Sequence, residues 1–263
     1  MQMQGAIAIP SAVQAGQWGL LSGSALLIGA AIGWFVLMQR RVIAAIMAFG
    51  SGVLISALSF ELMDEAWKQG GFLAVATGFL SGAIVYTGLN ITLNARGARH
   101  RKRSEAHRSK DDEATVSKGG NSASLALGAL IDGIPESIVI GTSLLVGGSV
   151  SWVAVAAVFL SNLPEGLSSA AGARAEGKTA TYTFVLWAGI ALACGLSSFA
   201  GYTLFDGASP QVLAAVQGVA AGAILAMIID TMAPEAFEGT HDFAGLIAVF
   251  GFLTAFGLSK LGP

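Results

Sequence analysis

The sequence predicts an all-α integral membrane protein with eight transmembrane helices, and three observations predict it. Only 11% of the 263 residues are charged and 54% are hydrophobic, whereas a soluble domain carries about 25% charge. The mean hydropathy is +0.69. The apolar residues also gather into runs near the ~20 residues that a helix needs to cross a hydrocarbon core. Lipid is therefore the expected solvent for most of the surface. The net charge of −2 is too unevenly placed to name a partner, and no nucleic-acid partner is expected. Cys194 is the single cysteine, which excludes an intrachain disulfide. The opening "MQMQGAIAIPSAVQAGQ" has no basic stretch ahead of its apolar residues, so it does not read as a cleaved secretory signal.

The eight runs fall at about 19–38, 42–62, 71–93, 124–146, 150–171, 182–205, 212–232 and 243–261. The first, third and seventh carry the glycine pairs Gly29/Gly33, Gly78/Gly82 and Gly218/Gly222. Such spacing lets helix backbones approach closely in lipid, although glycine is also simply commoner in membrane helices. The second run begins after Arg40 and Arg41 and ends in "SFELMDEAW". Between the third and fourth lies the longest connection, 95–122, which is polar, charged and low in aromatics. It reads as a mobile cytoplasmic loop. Its His100 and His107 are either solvated or part of a metal sensor. The whole chain, 1–263, reads as one transmembrane domain.

Orientation follows from the basic residues. With the N-terminus outside, twelve of the 14 Lys and Arg become cytoplasmic, and only Lys68 and Lys260 do not. The positive-inside rule favours this arrangement. It predicts a multi-pass protein of the cell (inner) membrane with both termini extracytoplasmic.

The fourth and fifth runs hold the chemistry. "ALIDGIPESIVIGTS" carries Asp132, Pro135 and Glu136, and "VFLSNLPEGLSSAAG" carries Asn162, Pro164 and Glu165. An ionisable side chain deep in a membrane is costly and usually faces the bundle interior or a wet cavity. Glu136 lies ~18 Å from one end of its helix and Asn162 ~18 Å from the opposite end of the next. Both are therefore near mid-membrane. Asp132 and Glu136, at i,i+4, share a face that continues through Ser124, Gly128 and Ser143, and Asn162 and Glu165, at i,i+3, share another. Each proline interrupts a backbone hydrogen bond, freeing the carbonyls of Ile131 and Leu160, which is tolerated where a cavity or ion meets them. These oxygens would suit a divalent cation. The alternative is that the same groups are protonated or hydrogen-bonded to one another and glue helices together.

Two further acidic clusters close the second and seventh runs. Glu61, Asp64 and Glu65 lie in the first, and Asp230, Glu235 and Glu238 in the second. "LMDEAW" and "MAPEAF" match loosely and fall at opposite membrane faces, as an inverted repeat of segments one to three and six to eight would place them. Glu61, Asp64, Asp230 and Glu235 are candidate transport-pathway carboxylates that concentrate cations at the mouths. Glu61 and Asp230 lie furthest into their runs. The alternative is that these are ordinary polar helix ends.

Together these features resemble the ZIP family of metal-ion transporters. The resemblance covers the whole chain. The family's fourth segment typically reads His-Asn-x-Pro-Glu-Gly, and its fifth carries a polar residue, then x-Pro-Glu-Gly. "SNLPEG" fits the fifth. "DGIPES" departs from the fourth: Asp132 stands for the histidine, Gly133 for the asparagine and Ser137 for the glycine. The resemblance implies a binuclear metal site between segments four and five, a homodimer, and elevator-like movement of a four-helix transport unit. It carries Glu136, Glu165 and Asn162 over as metal ligands, and Asp132 as a substituted one. Many members place a carboxylate on segment six. None lies in "YTFVLWAGIALACGLSSF", where Cys194 sits.

The expected function is transport of a divalent cation such as Zn2+, or alternatively Mn2+, Cd2+ or Fe2+, with no resident cofactor. Zinc sites usually include histidine or cysteine, and oxygen ligands suit harder ions, so the ion stays open. A rival reading is a ZIP-like transporter of another substrate whose carboxylates carry protons. An intramembrane enzyme is not expected, because neither His-Glu-x-x-His nor Gly-x-Gly-Asp occurs.

Overall fold

The computed structural model describes residues 11–36, 38–93, 121–147 and 149–261. His100, His107 and nearly all of the 95–122 connection therefore lie outside the described residues. Every described element is helical. In order they are α1 (Ser11–Phe35), α2 (Arg40–Ala57), a π-helical stretch (Leu58–Met63), α3 (Asp64–Leu93), α4 (Asn121–Gly147), α5 (Trp152–Ala175), α6 (Ala180–Phe205), α7 (Pro210–Met227), a second π-helical stretch (Ile228–Met232), α8 (Ala233–Thr240), a 3₁₀ turn (His241–Phe243) and α9 (Ala244–Leu261).

The starts of three helices are written locally. Ser151, Thr179 and Ser209 each accept a hydrogen bond from the backbone N–H three residues on, which caps α5, α6 and α7. Pro210 follows at the first position of α7, where its missing N–H costs nothing. Pro135 and Pro164 sit inside α4 and α5, and both helices run on through them. Each proline leaves one rung of the helix unmade.

Among the described residues, six helical stretches are long and apolar enough to cross a membrane. The chain is an all-helical, multi-pass membrane protein. The expectation of eight separate spans is met differently: Arg40–Leu93 runs 54 residues and Pro210–Lys260 runs 51. The second and third runs are joined, as are the seventh and eighth. The reason is that the connectors are themselves helical, through Asp64 and Ala233. Each long stretch is broken once, at Gly71 (φ 75°) and at His241 (φ 47°).

The helices form two bundles. In one, α1 packs on α5 and α6, and α4 packs on α6; in the other, α3 packs on α7, and α2 on α9. Contacts of α2 with α5 and of α4 with α7 join the bundles. Exchanging α1 with α6, α2 with α7, α3 with α9 and α4 with α5 maps this pattern onto itself. The correspondence holds residue by residue. A methyl group on Gly82 would run into the carbonyl of Val219, and one on Gly222 into that of Phe79. In the other half, Gly251 meets the carbonyl of Phe49 and Gly52 that of Ala248. The π stretches and the positive-φ breaks also recur at matching places.

Candidate metal site

α4 buries its polar face. Asp132 is 3% exposed and Glu136 2%, with Gly128, Ser137 and Ser143 also buried. The side chains of 121–127, Ser124 among them, lie outside the described residues, so the stripe is followed from Gly128 onward. Glu136 lines a cavity of about 10 Å³, roughly the room one water needs. The rest of that cavity is apolar: Leu54, Ala57, Leu58 and Leu62 on one side, Val139, Ala154 and Val158 on the other. Glu136 thus stands at the seam where the two bundles meet.

α5 supplies the second set of polar groups. Asn162 is 3% exposed, and its Nδ2 donates to the carbonyl of Ser22 on α1 at 3.2 Å. That bond fixes which end of the amide is nitrogen, leaving the carbonyl oxygen for other partners. Glu165 is half-buried one turn further on. Ser161, Ser168 and Ser169 are buried on the same helix.

Cys194 of α6 ties the two helices together. Its Sγ is 3.0 Å from where a Cβ on Gly133 would lie. Ser137 and Glu136 of α4 and Glu165 of α5 lie near enough to influence its thiol. Cys194 therefore faces the region of both Pro-Glu motifs. The Ser137 hydroxyl also donates to the carbonyl of Gly133 at 2.7 Å. Among the described residues, no three His, Cys, Asp or Glu side chains stand close enough together to hold an ion.

The mouth carboxylates separate into two kinds. Glu61 accepts from Ser151 Oγ at 3.1 Å and from Ser259 Oγ at 2.5 Å. Glu235 accepts from Ser168 Oγ at 2.8 Å. Both reach across to α5 from the other bundle. Asp64 instead forms an exposed ion pair with Lys68 at 2.6 Å, and Asp230 is exposed in the second π stretch. The serines that hold Glu61 and Glu235 were not legible as functional residues. Neither Ser151 nor Ser168 is set apart by a motif or by its spacing.

No family model matches the chain. A curated relative, the zinc transporter ZIP11 of Bos taurus, is 30% identical over 217 residues, which cover 64% of this chain and 61% of that protein. The chain thus spans about three-fifths of the length of the curated relative it matches.

Proposed function

We propose that this chain belongs to the ZIP family and carries a divalent metal ion, zinc or a related transition metal, across the membrane. The observation that carries the reading is Glu136, 2% exposed at the seam between the bundles with Asp132 one turn away. A carboxylate pair there has a function to justify its desolvation. The similarity to a zinc transporter supports the cargo. Asp132, Glu136, Asn162 and Glu165 are the proposed ligands, and binding draws their side chains closer than they stand. The soft thiol of Cys194 adjoins an otherwise oxygen-rich set.

The bundle of α1, α4, α5 and α6 carries the site, and the bundle of α2, α3, α7 and α9 faces it. Sliding of the first against the second would move the ion in an elevator-like cycle. Eight crossings are part of this proposal. A straight 54-residue helix would be ~80 Å long, far more than a ~30 Å core, and a chain reversal at Gly71 and at His241 resolves the excess. The protein is a homodimer in the cell (inner) membrane, with both termini outside.

Two experiments test the reading. Glu136→Ala and Glu165→Ala should each lower zinc and manganese uptake by about 100-fold or more at equal membrane expression, since loss of even an outer-shell partner costs 10–100-fold. Near-normal uptake in both rejects the metal site. A tag within 95–122 should be reachable from the cytoplasm only, and a tag at either terminus only from outside.

A further inference from the structure

We propose that Glu61 with Ser151, and Glu235 with Ser168, are two latches that hold the bundles in register and must open for α5 to slide. The inference rests on the transporter reading and assigns that movement a pair of named contacts.

Both bonds cross between bundles. Ser151 and Ser168 belong to α5 or its cap, whereas Glu61 lies in the first π stretch and Glu235 in α8. Seventeen residues of helix separate the two serines, ~26 Å along the axis. The latches therefore sit near opposite ends of the moving helix. Between them, apart from Glu136, the seam is apolar and made of small or smooth groups, with Ala154, Ala157 and Val158 of α5 lining it together with Leu54, Ala57 and Leu58. Apolar contacts are non-directional and exchange readily under sliding. Hydrogen bonds are directional and weaken steeply with misalignment. A displacement of α5 by a single helical turn, ~5.4 Å, would break both bonds while leaving the apolar seam filled by neighbouring residues. Register is thus held at the ends, and the middle is left free to move.

Glu61 is also held by Ser259 of α9, on its own side of the seam. When Ser151 departs, the Glu61 carboxylate keeps a partner and stays in place to receive it again. Neither carboxylate needs to touch the cargo to act in this way, so Ser151, Ser168 and Ser259 are positioning residues.

The test uses the full chain in proteoliposomes, with zinc and manganese as probes. Wild-type protein is measured first for ion binding by calorimetry and for ion flux. If it neither binds nor carries either ion, the transporter reading fails and the latches fall with it. Two double variants, E61C/S151C and E235C/S168C, are then joined by a short bifunctional thiol reagent and released by reductant. Joining either pair should cut flux by about tenfold or more, with binding affinity changed by less than about twofold, a shift of ~0.4 kcal/mol. Reductant should restore the flux. Undiminished flux in the joined state overturns the latch, and so does failure of the pairs to join. If the double variants are inactive before joining, single changes decide. S151A and S168A should alter flux about threefold at unchanged binding, ~0.65 kcal/mol, and S151T and S168T should return it toward wild type. Flux unmoved by the alanine changes, or binding lost in proportion to flux, overturns the latch.

Discussion

The bundle of α1, α4, α5 and α6 buries Asp132, Glu136, Asn162 and a series of serines and threonines, whereas that of α2, α3, α7 and α9 buries chiefly alanine, leucine, valine and glycine. Its buried polar residues among those described are Ser51, Ser56, Asn90 and Gln217, none of them charged. The two are built for different tasks. Glycines against backbone carbonyls set close contact in both, Gly82 on Val219 in the second and Gly29 on Leu163 in the first, so the difference lies in the buried polar groups. The first tolerates costly desolvated groups and two interior prolines. The proposed movement around a bound ion asks for this: one bundle that buries the charged groups, facing one that buries none.

The largest expected effect separates those tasks. Gly82→Leu drives a side chain into the carbonyl of Val219, and overpacking of this kind costs ~3 kcal/mol or more. The variant should lose monodispersity in detergent and show a lowered unfolding temperature. Glu136→Gln should do the reverse, with a normal melting profile and ion flux down at least about tenfold, ~1.4 kcal/mol in the transport barrier. Equal loss of fold in both variants would erase the distinction.

The division was partly legible in the sequence. The Pro-Glu segments stood out because carboxylates are rare in apolar runs, and their burial needs no tertiary information to anticipate. The loose match of "LMDEAW" and "MAPEAF" pointed to a repeat, and reciprocal glycine contacts recur in two helix pairs, α3 with α7 and α2 with α9. Two things were not legible. Whether a chain turns or continues between two apolar runs depends on a few backbone angles, and the connectors after Leu58 and Ile228 proved helical. Which helix faces which is set by packing, so neither the place of Cys194 beside Gly133 nor the serines on Glu61 could be read from spacing.

Cys194 changes one expectation about the motif. The asparagine absent from "DGIPES" meets an obstacle that the sequence does not show: a Cβ at position 133 would lie 3.0 Å from Cys194 Sγ. Gly133→Asn should therefore destabilise the site bundle by ~2 kcal/mol, and Cys194→Ala made with it should recover part of that loss. Thermal unfolding of the two single variants and the double variant gives the coupling. Additive effects would mean the thiol does not fill the space the glycine leaves. Asp132→His made alone avoids the conflict and should raise zinc over manganese preference by about tenfold, ~1.4 kcal/mol. Competition between the two ions for purified protein reads it, and an unchanged ratio removes Asp132 from the selectivity ligands.

The smallest effect concerns the two halves of the second bundle, which break their long helices in unequal ways. At Gly71 the backbone has φ 75° and ψ 173°, a region open in practice to glycine only. At the matching break, His241 has φ 47° and ψ −119°, outside the wells that a side chain prefers. The same turn is thus made once without strain and once with it. The His241 ring packs edge-on against Phe237, with centroids 6.1 Å apart, and such pairs contribute ~0.5–1.5 kcal/mol beyond buried area. Backbone strain of this kind costs of order 1–3 kcal/mol, so relief should outweigh the lost ring contact. His241→Gly is expected to stabilise the protein by ~1 kcal/mol, while Gly71→Ala destabilises it by a similar or larger amount. Unfolding temperatures in one detergent, measured side by side, test both signs. A destabilised His241→Gly would mean that the ring contact, not the backbone, sets the angle there, and the two breaks would then match in position but not in physical origin.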